Sequence, residues 1–255
     1  MRIYLFGFLF ILSACEHGEG SRELVPTERS TVKADDLGEE KKVAPELRES
    51  VHWIRNSAEH RAAMLQAFQV AGSSLEAILA EEELEEGEEW AVAFDADETI
   101  IDNSQRDFEV SLGDKLSFFS WALQGRAAAK PGALTFMTKV KELGGKIAIV
   151  TNRPNAVCES TQENLAELGF PTDIVLCKGK DGEKEPRWQS IEDGEAHAEH
   201  GPLTIVMWLG DSITDFPELS QESRFLDEAE FSEFGRRFII IPNPMHGSWQ
   251  KNPKH

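Results

Sequence analysis

The chain has 255 residues, 40% of them hydrophobic and 28% charged, enough for one sizeable packed domain with an accessory piece. Its 46 acidic and 26 basic residues give a formal charge of −20, which argues against a nucleic-acid partner, whose phosphates need a basic footprint. An anionic small substrate would need local positive charge from a cation or a well-placed Lys.

At the N-terminus, Arg2 precedes an apolar run from Ile3 to Leu12, too short to span a bilayer, and then "LSAC". This resembles a bacterial lipoprotein signal, with residues 1–14 removed and Cys15 lipidated; an ordinary secretory signal cut near Ala14 is the alternative. Removal takes Arg2 away and leaves 25 − 46 = −21. Lipid would anchor the protein to a bacterial membrane, expected to be the outer one, with the domain in the periplasm or at the cell surface. Residues 15–45 are polar and aperiodic, as a disordered tether would be. Cys158 and Cys177 then remain in an oxidising compartment, and a disulfide between them stays open.

From Ser57 the apolar spacing of Met64, Phe68, Ala71, Leu75 and Ile78 predicts a helix, with Ser57 as its cap. Five apolar runs of strand length follow: Trp90–Phe94, Lys146–Val150, Thr172–Leu176, Thr204–Leu209 and Phe238–Ile241. None alternates cleanly, which fits strands buried on both faces of a parallel sheet. Helical stripes intervene, one through Leu134, Met137, Val140 and Leu143, another from Thr161 to Leu168. A further helix is expected from Leu116 to Ala129, stopped by Pro131. The fold class is therefore α/β, a doubly wound parallel sheet. Residues 46–88 and about 103–130 are expected to form a small helical cap, and the remainder of 46–255 the α/β core.

Ligands sit at the carboxyl ends of such strands. Those ends read "DADET", "TNR", "CKGKDGEK" and "GDSITD". Asp95 and Asp97 in one pocket repel unless a cation or proton intervenes, and a hard divalent ion suits their oxygens. Asp211 and Asp215 add oxygen ligands. A carboxylate can also act as a nucleophile toward phosphorus. Thr151 and Asn152 offer donors to phosphoryl oxygens, and Lys184 a point charge, with Lys178 and Lys180 as rivals.

Together "DADET", "VTNR", the Lys in "KEPR" and "GDSITD" resemble the four motifs of the haloacid dehalogenase superfamily. "DETIIDNS", "KPGALTF", "VTNRP", "GDSITDF" and "IIIPNPMHGSW" are similar to the class C acid phosphatases, which include lipoprotein 5′-nucleotidases. The similarity covers roughly residues 50 to 250. It implies Asp95 as nucleophile and Asp97 as general acid and base. It implies Mg²⁺ held by the Asp95 side chain, the Asp97 carbonyl and Asp211, with Asp215 supporting the metal's waters or holding Lys184. Thr151 and Lys184 would bind the phosphoryl group. The family often has Tyr at the position of His246, in a platform for a nucleobase or other flat leaving group; Trp121, Phe118 and Phe119 are further candidates for that pocket, and Trp249 reads as structural. The implied partner is a small phosphorylated substrate, a nucleoside monophosphate or an aryl phosphate. A ligand-binding lipoprotein and a phosphotransferase on the same fold are alternatives, and a homo-oligomer stays open.

Overall fold

The computed structural model describes residues 47–81, 87–180 and 182–254. The signal at 1–14, the lipidation site Cys15 and the tether at 15–45 lie outside the described residues. Among those described, no helix is long and apolar enough to cross a membrane.

Two helices open the domain, α1 (Glu49–Asn56) and α2 (Ala58–Glu81). Ser57 separates them, and its hydroxyl accepts from the His60 amide at 3.0 Å, capping α2 as its residue type predicts. Met64, Phe68, Ala71, Leu75 and Ile78 are all buried. The sequence places α2 in a cap. In the structure its apolar stripe instead packs against the main sheet and the helix α5 (Ala133–Glu142).

The main sheet comprises β1 (Trp90–Phe94), β4 (Lys146–Pro154), β5 (Ile174–Lys178), β6 (Thr204–Gly210) and β7 (Phe238–Ile240), in the order β5-β4-β1-β6-β7. Every pairing is parallel. Successive side chains of β1 point to opposite faces. Trp90, Val92 and Phe94 join the cluster under α2 and α5, while Ala91 and Ala93 join one with Trp188 and Ile191 of α7 (Glu185–Glu192). Burial on both faces explains the unbroken apolar runs; each large core side chain contributes about 1.5–3 kcal/mol.

Some boundaries shift. In α5 the core face is Ala133, Phe136, Met137 and Val140; Leu134 and Leu143, expected in the stripe, are exposed. Gly145 follows because a Cβ there would lie 2.4 Å from the Trp90 ring. The third expected strand starts later, at Ile174, because Asp173 turns its carboxylate to the Ile147 amide at 2.7 Å and to Lys141 at 2.7 Å.

Residues 101–129 form an insertion above the sheet. Short strands β2 (Ile101–Asp102) and β3 (Ala128–Ala129) pair antiparallel at its base. Between them lie α3 (Ser104–Ser111) and α4 (Phe118–Gln124). The helix expected to reach Ala129 ends at Gln124, because Gly125 turns left-handed at φ 59° and the chain must return to the base strand. The helix α6 (Cys158–Glu167) follows β4, and Cys158 and Cys177 are joined by a disulfide.

Candidate active site

The chain order reverses at β1, with β4 on one side and β6 on the other, so a crevice opens at its carboxyl end. A cavity of about 690 Å³ lies there, lined among others by Asp95, Asp97, Asn152, Lys184, Asp211 and His246. A larger hollow of about 1010 Å³ between α1 and Pro242–Pro244 touches this chemistry only through Asn243.

Asp95 leaves β1 with its amide still bonded to the Leu209 carbonyl at 2.9 Å, which fixes where its side chain starts. Lys184, at the entrance to α7, reaches it: Nζ donates to Asp95 Oδ1 at 2.5 Å and stands 2.7 Å from Asp215 Oδ1. The Lys184 side chain is 3% exposed, and this geometry sets it apart from Lys178 and Lys180. Asp215 Oδ2 accepts from the Ser212 amide at 2.9 Å. Asp215 can press this close because residue 210 is Gly; a Cβ there would lie 2.2 Å from that of Asp215. Asp211 follows β6, and its Oδ2 accepts from Asn243 Nδ2 at 2.7 Å.

Asp95, Asp211 and Asp215 each offer an oxygen within 4.8 Å of the others. Three carboxylates face one Lys, which leaves 3 − 1 = 2 uncompensated negative charges. Burial first, and the charges of Asp215 and Asp97 next, outweigh the opposing pull of Lys184 and push the Asp95 carboxyl up to about 7. Burial, then Asp95 and Asp215, likewise raise Asp211 well above the usual carboxylate range. Burial opposes the charge on Lys184, yet the two carboxylates prevail and raise it. An all-oxygen donor set two charges short of neutrality fits a hard divalent cation.

Asp97 is held by a different set. Arg153, 1% exposed, donates through Nε to both Asp97 oxygens at 3.0 and 3.1 Å and through Nη2 to Oδ1 at 2.8 Å. Asn103 Nδ2 donates to Asp97 Oδ1 at 2.8 Å and to Glu98 Oε2 at 3.1 Å. Glu98 is buried at φ 61°, a left-handed conformation costly for a non-glycine, and its Oε1 accepts from the Asn103 amide at 2.9 Å. Arg153, Asn103, Glu98 and Asn243 were absent from the expected site. The third letter of "TNR" was the available signal for Arg153.

The remaining candidates separate. Asn152 lines the cavity, with its Oδ1 accepting from Arg187 at 2.6 Å. Thr151 is fully buried and does not line it; its Oγ1 accepts from the Arg153 amide at 3.2 Å. Trp121, expected in the substrate pocket, is instead fully buried, with Nε1 donating to Asn103 Oδ1 at 2.7 Å. The reason is that the indole packs into the core as the insertion returns to the sheet. Phe118 borders a side hollow, whereas Phe119 and Trp249 are exposed at 45% each and line neither space. His246 lines the cavity, 3.7 Å from Glu98 and 3.6 Å from Asp107. Burial opposes the charge on the imidazole, but its contact with Asp107 and the nearby Glu98 outweigh that and raise it.

Fold and crevice define a doubly wound α/β protein with a charged centre at its switch point. The chain belongs to the HAD superfamily, subfamily IIIB (acid phosphatase), whose profile matches residues 24–249. It is 25% identical to the class C acid phosphatase from Bacillus anthracis, with a TM-score of 0.70 over 79% of this chain and 85% of that one. The class C acid phosphatase from the same organism with tungstate bound gives 0.71 at 25% identity, covering 82% and 88%. Acid phosphatase 1 of Solanum lycopersicum is 28% identical over 159 residues, 60% of this chain. The chain spans 57% of that relative's length.

Proposed function

We propose that this protein is a Mg²⁺-dependent acid phosphatase that hydrolyses phosphate monoesters, 5′-nucleotides among them, through a phosphorylated Asp95. The observation that carries this is the arrangement of Asp95: Lys184 2.5 Å from Oδ1, and oxygens of Asp211 and Asp215 within 4.8 Å. A nucleophile, a cation for phosphoryl oxygens and a divalent donor set meet at the carboxyl edge of the sheet. Tungstate, a phosphate-like oxyanion, bound to the related class C enzyme supports the same substrate chemistry here.

Asp95 attacks phosphorus in line, and an O–P bond forms as the alcohol oxygen departs. Asp97, aimed by Arg153 and Asn103, gives that oxygen its proton. Asp97 then takes a proton from water, which attacks the same phosphorus; the Asp95 O–P bond breaks and inorganic phosphate leaves. Lys184 and Asn152 hold phosphoryl oxygens meanwhile. Mg²⁺ would be held by the Asp95 side chain, the Asp97 backbone carbonyl and Asp211, and would supply charge neutralisation on the transferring group. Asp215, engaged with Lys184 and the Ser212 amide, fits the role of fixing Lys184.

The protein would act at a bacterial membrane surface, anchored by lipid on Cys15, outside the cytoplasm; the Cys158–Cys177 disulfide supports an oxidising compartment. Loss of labelled palmitate from a Cys15→Ala variant would establish the anchor. For the chemistry, purified protein with Mg²⁺ should release phosphate from p-nitrophenyl phosphate and from a 5′-nucleotide at mildly acidic pH. Chelation should abolish this, and Asp95→Asn should lower kcat by about 10⁴-fold or more. An Asp95→Asn variant at parental speed would overturn the reading.

A further inference from the structure

Beside the main cavity lies a second hollow of about 390 Å³, and Asp97 and His246 line both. Its other walls include Arg48, Arg106, Asp107 and Phe118. We propose that this hollow is a second subsite, selecting phosphate monoesters whose alcohol portion carries its own negative charge, held by Arg48 and Arg106. The inference rests on the phosphatase reading above and deepens it to a substrate class.

The charge around the hollow carries the argument. In a chain with 46 acidic residues and 26 Lys and Arg, two arginines and a histidine converge on one small space. Asp97 adds no net charge there, because Arg153 pairs with it at 2.8 Å. His246 stands 3.7 Å from the buried Glu98 and adds no surplus either, which leaves the two guanidiniums of Arg48 and Arg106 facing the single carboxylate of Asp107. Arg48 approaches Asp107 through Nη2 at 2.7 Å, and Arg106 through Nη1 at 3.4 Å, while Arg106 Nη2 donates to the Leu116 carbonyl at 3.1 Å. A guanidinium carries five N–H donors, so these contacts leave donors on both for a ligand. Planar guanidiniums also match a carboxylate or phosphate better than an ammonium would.

Position supplies the second half. Asp97 is the group that must meet the leaving oxygen, and it forms part of the wall between the two spaces. A phosphoryl group on Asp95 therefore directs the alcohol portion past Asp97 and His246, toward the guanidiniums. Phe118, in the same wall, offers an apolar surface to the stem that joins the two anions. The local cations also counter the repulsion that the −20 chain exerts on a doubly anionic ester.

The test compares 4-carboxyphenyl phosphate with 4-carbamoylphenyl phosphate, two esters of one shape that differ by a charge. The parent protein with Mg²⁺ should favour the carboxylate about tenfold in kcat/KM, as a charge-assisted contact does. Arg48→Gln and Arg106→Gln should each shrink that ratio severalfold, through KM for the carboxylate ester, and leave the carboxamide ester nearly unchanged. The carboxamide reaction thereby also reports that each variant is folded. Equal kcat/KM for the two esters in the parent protein, or equal losses on both in the variants, would overturn the subsite and leave the phosphatase reading standing. Hydrolysis of neither ester would remove both.

Discussion

Two carboxylates with one residue between them live in opposite electrostatic worlds. Asp95 sits in a cluster of three carboxylates around a single Lys, the carboxylates following β1 and β6 and the Lys at the entrance to α7. Asp97, on the other side, is matched one to one by Arg153 and braced by Asn103 at the start of the insertion. The first side is short of positive charge and so is fitted to take up a cation. The second is already balanced, and its hydrogen bonds serve direction. The division suits the work proposed for each: one carboxylate to attack phosphorus beside a metal, the other to present a proton at a fixed point.

The harshest way to break this comparison is to remove the cation from the first side. Lys184→Met should leave two buried carboxylates, Asp95 and Asp215, and the half-buried Asp211 without compensation. Loss of one partner from a buried pair costs about 3–5 kcal/mol. Chemical denaturation of metal-free protein should show that loss, and phosphate release should fall below detection. An unchanged denaturation midpoint would mean that the cluster is already discharged by protonation.

A gentler change addresses the second side. Arg153→Lys keeps the charge but not the fork that spans both Asp97 oxygens. We expect kcat to fall by about 10²-fold, the range for general acid–base catalysis, with KM and Mg²⁺ affinity little altered. A matching fall in Mg²⁺ affinity would show that the two sides are one unit.

This division also explains what was legible in the sequence. Asp95, Asp97 and Asp211 could be placed at the crevice because each follows an apolar run, where a buried parallel strand must become a loop. The sheet was readable for the same reason. The second side was not, because its partners are remote: Arg153 lies 56 positions from Asp97, and Trp121 lies 18 from Asn103. Composition marks Trp121 as a flat ring suited to a pocket. Only the return of the insertion to the sheet shows that the ring is buried and that its N–H points at Asn103. Only the resemblance of "KEPR" ranks Lys184 above its rivals Lys178 and Lys180; the turn into α7, which carries its Nζ to 2.5 Å from Asp95, distinguishes them physically.

A third test sharpens the charge imbalance through pH. The Asp95 carboxyl, at about 7 when folded against an ordinary 3.8, favours the folded state most when protonated. Its contribution is fully present below pH 3.8 and is lost as pH rises through 7. Metal-free protein should therefore lose Tm across that window. A fixed Mg²⁺ concentration that is a hundred times the dissociation constant at pH 8 adds about 2.7 kcal/mol there and less at lower pH, where protons compete for the same carboxylates, so its Tm increment should grow with pH. Asp95→Asn, neutral at every pH, should flatten the metal-free profile, with Asp211 and Glu98, both raised chiefly by burial, contributing to the slope that remains. A Mg²⁺ increment that did not change between pH 4 and 8 would contradict the imbalance.

The smallest expected effect lies at the seam between the two sides, where His246 meets Glu98 and Asp107. His246 is raised above its ordinary 6.5, so its contribution is fully present below 6.5 and is lost as pH climbs through the raised value. Burial acts against ionised Asp107, but His246, Arg48 and Arg106 together hold it below its ordinary 3.8; that contribution is present above 3.8 and lost as pH falls through the lowered value. The contact therefore stabilises most between the two ordinary values. The imidazole is 35% exposed, so solvent screening limits the contribution to about 0.5–1 kcal/mol. His246→Gln should lower Tm at pH 5.5 and leave it nearly unchanged at pH 9. An equal loss at both would mean that His246 holds the seam by shape, and that the charges of Glu98 and Asp107 are balanced by the arginines alone.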